Sequence, residues 1–266
     1  MATLTLQDDD REYSVSSLVD ENGIASLLLE YTGTYSITYN NNKIKSKKTI
    51  DITIPTVYNL SAVYPELIVY TVNIDKNNSN PKTACTYADN AENMVKGSAE
   101  WDNKPIFKHI RPCVFLNGEV NYYLDPNDWT KKYGTNESSI LTGEDGDVMI
   151  EFPKFAYKIK TTDNTITVSV TNDESVAESD SDYTYDAFSR LEEGDVDYFY
   201  KGAFKGSLDS SGQLRSIVGT KPANNKNIGA FRTAAQSNGA HYQQSTYAQL
   251  KALQCLYLIK YGSRDG

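Results

Sequence analysis

Apolar residues in this chain come in short runs, and most runs alternate with period two until Asn, Asp, Gly or Pro ends them. Thr34-Tyr35-Ser36-Ile37-Thr38-Tyr39 behaves in this way, as does Thr49-Ile50-Asp51-Ile52-Thr53-Ile54 before Pro55. A period of two sends alternate side chains to opposite faces of a strand, so pieces of this kind assemble into sheets with one face packed. Turn signals separate them at Asp20-Glu21-Asn22-Gly23, Thr32-Gly33 and Asn40-Asn41-Asn42. Gly23 to Glu30 reads as a strand buried on both faces, with a helix as the alternative for its leucines.

Leu67 to Asp75 is the next strand, followed by the Asn-rich loop Asn77 to Pro81; the polar stretch Ala88 to Ala99 is expected to hold a short helix. Val114-Phe115-Leu116 and Glu119 to Leu124 flank Asn117-Gly118, the strongest short hairpin signal. Val148 to Phe152, Ala156 to Lys160 and Thr165 to Val170 are further strands. The charge in Asp173 to Asp182 marks an exposed loop, and its spacing does not match the D-x-[DN]-x-[DN]-G pattern of a calcium loop.

The final third changes period. Asn227 to Asn238 and Ser245 to Tyr261 have helical spacing; in the second, Tyr247, Leu250, Leu253 or Gln254, Tyr257 or Leu258, and Tyr261 form one stripe. Ser245 or Thr246 stands at its N-cap and Gly262 at its C′ position. The reading is a mainly β chain with an α+β C-terminal part: a small β-sandwich module over 1–56, a connector with a strand and a short helix over 57–104, and a C-terminal domain over 105–266.

Composition then limits the chemistry. The 266 residues carry 26 Lys+Arg against 35 Asp+Glu, a net charge of −9, which argues against a nucleic-acid partner because phosphate neutralisation needs a dense cationic surface. No apolar run approaches the roughly 18 residues of a spanning helix, so no membrane insertion is expected. The first residues lack a basic and an apolar region, so no secretory signal is expected. Cys85, Cys113 and Cys255 are widely spaced without a C-x-x-C pair and read as small buried hydrophobes. With only His109 and His241 besides, no metal or cofactor is expected.

Catalysis finds equally little support. Glu144, Asp145 and Asp147 lie around Gly143 and Gly146, where acids are usually solvated in a turn. Gly143-x-x-Gly146 lacks the Lys-Ser/Thr of a phosphate loop, and there is no G-x-S-x-G elbow; the chain is not expected to be an enzyme. Tyrosine is the exception, with 20 residues against 8 Phe and 2 Trp. A phenol ring packs on the C–H face of a sugar while polar neighbours pair with its hydroxyls. Trp129 and Tyr133, in a turn-rich loop, and Tyr198, Tyr200 and Tyr242 are the ligand-binding candidates; the alternative for each is a Tyr-rich core or a subunit interface. Trp101 is expected to pack in a core or between domains.

Two resemblances add to this. Asp20-Glu21-Asn22-Gly23-Ile24-Ala25 leading to Tyr31-Thr32-Gly33-Thr34-Tyr35 resembles the turn-and-strand pattern of immunoglobulin-like or carboxypeptidase-regulatory-like modules. Ile110-Arg111-Pro112-Cys113-Val114, Asn121 to Asp128, Gly143 to Lys154 and Phe231-Arg232-Thr233-Ala234-Ala235 resemble a family of phage and prophage tail proteins. That resemblance implies the N-terminal part of a C-type-lectin-like domain of the retroelement-diversified, receptor-binding type. It also implies a virion protein assembled in the host cytoplasm, trimeric like many fibres, whose partners are other virion subunits and a host cell-surface glycan or protein. A structural decoration or neck/tail adaptor is the alternative, and a cell-wall glycan hydrolase a weaker one. In the family a Trp- and Gly-rich half with the ligand loops follows the Leu256-Tyr257-Leu258-Ile259-Lys260 helix; here the sequence stops at Ser263-Arg264-Asp265-Gly266, so no ligand contact carries over.

Overall fold

The structure is a computed structural model that describes residues 3–8, 12, 14–18, 33–40, 45–52, 68–190, 194–239 and 241–265. The expected strand from Gly23 to Glu30 lies outside them. The strands are β1 (Thr3–Asp8), β2 (Ser14–Leu18), β3 (Gly33–Asn40), β4 (Lys45–Ile52), β5 (Val69–Asp75), β6 (Cys85–Asp89), β7 (Arg111–Leu116) and β8 (Glu119–Tyr123). They continue with β9 (Asp147–Pro153), β10 (Ala156–Thr161), β11 (Thr165–Thr171), β12 (Ser189–Arg190), β13 (Gly194–Asp195), β14 (Tyr198–Gly202), β15 (Ser207–Leu208) and β16 (Leu214–Arg215). The helices are α1 (Glu174–Ser179), α2 (Ile228–Gln236) and α3 (Tyr247–Tyr261).

Among the described residues these strands make three four-stranded sheets, in the orders β2-β1-β3-β4, β10-β11-β5-β6 and β14-β9-β7-β8, and the two-stranded ribbons β12-β13 and β15-β16. All of the pairings are antiparallel, so the chain is mainly β. It divides into two compact units that interleave in sequence: Met1–Pro105, Phe155–Tyr185 and Gln254–Gly266 form one, Ile106–Lys154 and Asp186–Leu253 the other. The crossing at Pro105/Ile106 adjoins the boundary drawn at 104/105 from the sequence, whereas the later crossings have no counterpart in that reading.

In the first unit β3 contains the alternating run at Thr34, and β4 contains the part of the run at Thr49 that lies within the described residues, with Tyr35 paired to Ile50. The sheet around β5 shows why alternation matters. Tyr70, Val72 and Ile74 are buried on one face, opposite Val170, Val168 and Ile166 of β11 in register. Each fully buried side chain of this kind contributes about 1.5–3 kcal/mol. On the other face Thr71 and Ser169 meet in register, and their hydroxyls satisfy each other at 2.8 Å. Trp101 lies wholly buried in this core, edge-on to Tyr70 and Tyr87 at 5.1 and 5.7 Å, with Nε1 donating to the Val95 carbonyl.

Two expectations in this unit are corrected. Between Ala88 and Ala99 the chain leaves β6 at Asp89 and forms turns rather than an α-helix: the Ala91, Glu92 and Met94 N–H groups donate to carbonyls three residues back, at Ala88, Asp89 and Ala91. Asp173 to Asp182 is not simply an exposed loop. Asp173 caps α1 by accepting from the Ser175 N–H at 2.9 Å, and Ala177 is buried beneath the acidic surface residues.

In the second unit the Asn117-Gly118 hairpin forms as expected, with φ of 54° and 90° at its two central residues, the left-handed pair that a type I′ turn requires. Both C-terminal helices are present, α2 within the second unit and α3 running from its last residues into Gln254–Gly266 of the first. The Asn227 side chain caps α2 by accepting from the Ala230 N–H at 2.8 Å, and Thr246 and Gln249 form a reciprocal capping box at the start of α3. Gly262, at φ 52°, closes α3 as expected. The predicted apolar stripe of α3 is not the buried one: Tyr247 is 76% exposed and Leu250 and Tyr261 are exposed, while Ala252, Cys255, Leu256 and Ile259 are buried. Both stripes satisfy a 3.6-residue period, but the small Ala252 and Cys255 permit close packing that the large tyrosines do not. Cys85, Cys113 and Cys255 are all buried, and none of the three is in a disulfide.

Candidate functional site

The sheet β14-β9-β7-β8 has two chemically different faces. Register places Tyr200, Glu151 and Arg111 side by side across β14, β9 and β7, and places Tyr123 of β8 opposite Cys113, two residues along from Arg111 on the same face. Glu151 is 1% exposed, yet both carboxylate oxygens are satisfied. Oε1 accepts from Nη2 and Nε of Arg111 at 2.7 and 3.2 Å, and Oε2 accepts from the Tyr123 and Tyr200 hydroxyls, each at 2.9 Å. Arg111 also donates from Nη2 to the Tyr123 hydroxyl at 2.7 Å, with its Cζ 3.7 Å from the centroid of that ring.

A buried carboxylate is costly unless it is fully hydrogen-bonded, and here it is. Burial, reinforced by the hydrogen bond to Glu151 and by its negative charge, pushes the Tyr123 phenol up to about 12 and raises Tyr200 further. Burial opposes the charge of Arg111, but the hydrogen bond and field of Glu151 outweigh it and raise its pKa. Beside them, burial followed by the Glu151 charge pushes the Cys113 thiol up to about 12, which leaves it an unreactive thiol at neutral pH. The His109 imidazole is lowered by burial and by Lys108 and Arg111.

Around this anchor stand several of the aromatic residues picked from the sequence. Tyr198, two residues before Tyr200 on the same face of β14, is 43% exposed. The strand pairing continues past β8 through the Leu124–Lys132 bridge, and the Tyr133 N–H donates to the Tyr123 carbonyl at 2.8 Å, which sets Tyr133, 65% exposed, opposite Tyr123. Tyr200 packs against Phe115 with centroids 4.4 Å apart, and Tyr242 meets Phe115 edge-on at 6.0 Å. Four of the five candidates, Tyr133, Tyr198, Tyr200 and Tyr242, therefore gather at one side of the sheet.

Trp129 does not join them. Half-buried, it packs against the core cluster of Val114, Leu124 and Val148 on the opposite face and meets Phe204 edge-on at 6.2 Å. Of the acids around Gly146, Glu144 is exposed, whereas Asp145 and Asp147 differ from the solvated turn expected of them. Asp147 is buried and accepts from Arg215 Nε at 3.0 Å and the Ser216 N–H at 2.7 Å, while Asp145 accepts from the Tyr122 hydroxyl at 2.8 Å. Sequence reasoning passed over Arg111, Tyr123 and Glu151. The available signal was a charged residue at the inward position of an otherwise apolar strand, Val148 to Phe152.

Glu151 has no vacant lone-pair direction with which to take a proton, because Arg111 and two phenols occupy both oxygens. Arg111 keeps its Nη1 donors directed away from these bonds, and its side chain is 41% exposed. Among the described residues no group of three His, Cys, Asp or Glu is placed to hold a metal ion, and no helix is long and apolar enough to cross a membrane. No protein-family model, curated protein or solved structure matches this chain.

Proposed function

We propose that this chain is a virion tail or fibre protein that attaches non-covalently to a host cell-surface glycan or protein. Its contact surface is the tyrosine-rich face organised by Arg111 and Glu151. One observation carries the reading: Tyr133 and Tyr198 stand exposed on the face where a buried carboxylate fixes Arg111, Tyr123 and Tyr200. Rigid rings with few rotamers, beside a guanidinium that keeps free donors, give contact area at low entropic cost. The tail-protein resemblance supplies the biological setting, with a lectin-like C-terminal domain, other virion subunits as partners and a trimer as the assembly. Three copies of a weak site reach useful avidity.

A structural virion role, as a decoration or neck/tail adaptor, is the second reading. It is favoured by the exposed Tyr247 and Leu250 on α3, which suit contact with another subunit. The test is binding of the purified full chain to a panel of bacterial cells and to a glycan array, with Tyr133→Ala/Tyr198→Ala as the control. The attachment reading expects a bound cell type or glycan whose signal the double variant removes. Binding unaffected by the double variant defeats this surface, and copurification with particles without cell or glycan binding favours the structural role.

A further inference from the structure

The first unit contains a groove of about 270 Å³. Its floor is the hydrophilic face of the β10-β11-β5-β6 sheet, with Lys158 and Ser169, and its rim is formed by Asp89 and Asn90 at the end of β6 and by Asp180 and Tyr183 after α1. Val69 and Val176 give it an apolar edge. It is slightly smaller than the ~300–1,000 Å³ clefts that hold drug-sized ligands, which restricts an occupant to about one ring.

The wall chemistry narrows the class. Lys158 Nζ already sits 2.7 Å from Asp180 and 4.6 Å from the Tyr183 ring centroid, so a cation entering between the carboxylates would meet an ammonium. With Asp180 paired to Lys158, Asp89 leaves the groove net negative and disfavours an anion, and a wholly apolar molecule would desolvate these charged groups without replacing their hydrogen bonds. Adjacent on the rim, Asp89 and Asn90 form an acceptor and donor pair. The Asp89 carboxylate has no partner among the described residues; Asn90 spends Oδ1 on the Val69 N–H at 2.9 Å and retains its Nδ2 donors. Two neighbouring hydroxyls of a ring, one donating to the carboxylate and one accepting from the amide, fit such a pair.

We propose that this groove is a binding site for a single neutral, polyhydroxylated ring, a monosaccharide unit, held through vicinal hydroxyls by Asp89 and Asn90. The site is separate in residues and unit from the tyrosine face and does not rest on the reading of that face.

The experiment is saturation-transfer NMR on the full chain with D-glucose, D-galactose, D-mannose and N-acetyl-D-glucosamine as probes, and inorganic phosphate followed by phosphorus NMR as a charged comparator. The expected result is transfer to at least one sugar at millimolar concentration, lost in Asp89→Ala and in Asn90→Asp, and retained in Tyr133→Ala/Tyr198→Ala. Asn90→Asp keeps an oxygen to accept from Val69, removes the amide donor and adds a negative charge beside Asp89; thermal melts of both rim variants, expected within a few degrees of the parent, show that loss of signal is not loss of fold. Absence of transfer to all four sugars, transfer that survives both rim variants, or binding of phosphate alone overturns the proposal. Sugar binding that vanishes with the tyrosine variant and survives the rim variants instead assigns it to the other face.

Discussion

The two faces of the β14-β9-β7-β8 sheet solve the same packing problem in opposite ways. One face is closed with hydrocarbon and rings: Val114, Leu124 and Val148 with Trp129 and Phe204, and further along Phe199 stacked on Phe152 at 5.0 Å and tilted against Phe188 at 5.1 Å. The other buries a carboxylate and satisfies it with one guanidinium and two phenols. The apolar face gains stability from area and is indifferent to which ring fills it, within volume. The polar face gains little net stability from its ion pair, since desolvation offsets attraction, but each partner is held in one geometry. Stability resides on one side of the sheet and positioned donors and rings on the other.

Phe199→Ala gives the largest expected effect. Removing this buried ring costs about 3–5 kcal/mol in urea unfolding, and in a fraction that still folds the binding attributed to Tyr133 and Tyr198 should persist. Loss of binding with no loss of stability would reverse the roles assigned to the two faces. Arg111→Ala comes next, at about 1–3 kcal/mol, the cost of leaving a buried acceptor short of donors, because Arg111 is itself 41% exposed and Tyr123 and Tyr200 still donate to Glu151. Unlike Phe199→Ala it should also abolish ligand contact, and Arg111→Lys should restore part of the stability but not the bidentate geometry. A cost under about 0.5 kcal/mol, the range of ordinary surface substitutions, would show that Glu151 does not depend on Arg111.

How far this division was legible from sequence depends on how local its causes are. The Asn117-Gly118 hairpin was plain because two adjacent residues impose it. The α2 and α3 helices were plain because spacing and caps lie within one element. The buried stripe of α3 was misassigned because Ala252 and Cys255 count for little in a hydrophobic pattern and for much in close packing. In α1 the acids obscured the Asp173 cap and the buried Ala177. The same limit governs the site. Exposed tyrosines in turn-rich loops and short strands were readable as candidates, but Glu151 acquires its meaning from Arg111, 40 residues earlier, and Tyr200, 49 residues later. Only sheet register brings them together.

Tyr123→Phe sharpens the comparison at lower cost. It removes one hydroxyl from the polar face and should lose about 1 kcal/mol at neutral pH. The pH dependence has a definite sign. In the fold the phenol is raised to about 12, against an ordinary value of about 10 in the unfolded chain. The neutral phenol is therefore the form the fold favours, so its contribution is whole below pH ~10 and is lost as pH rises toward 12. Urea midpoints measured across that window should fall steeply for the parent and less steeply for Tyr123→Phe. Phenolate absorbance should show the lagging class of tyrosines reduced by one. An unchanged alkaline slope would mean that the Tyr123 hydroxyl is not engaged with Glu151.

Tyr198→Ala should disturb the fold least and separates positioning from presentation. With its ring 43% exposed and no part in the hydrogen bonds to Glu151, its loss should change stability by no more than about 0.5 kcal/mol. If the face is a contact surface, removing a stacking ring costs about 1.4 kcal/mol, a tenfold loss of affinity per site. In the proposed trimer the loss would be compounded, because each weakened site lowers the avidity of the others. Titrating the bound cell type or glycan with parent and variant at equal protomer concentration reads this directly. Equal binding would leave the polar face with an organised interior and no outward task, and would shift the assignment toward subunit contact through α3.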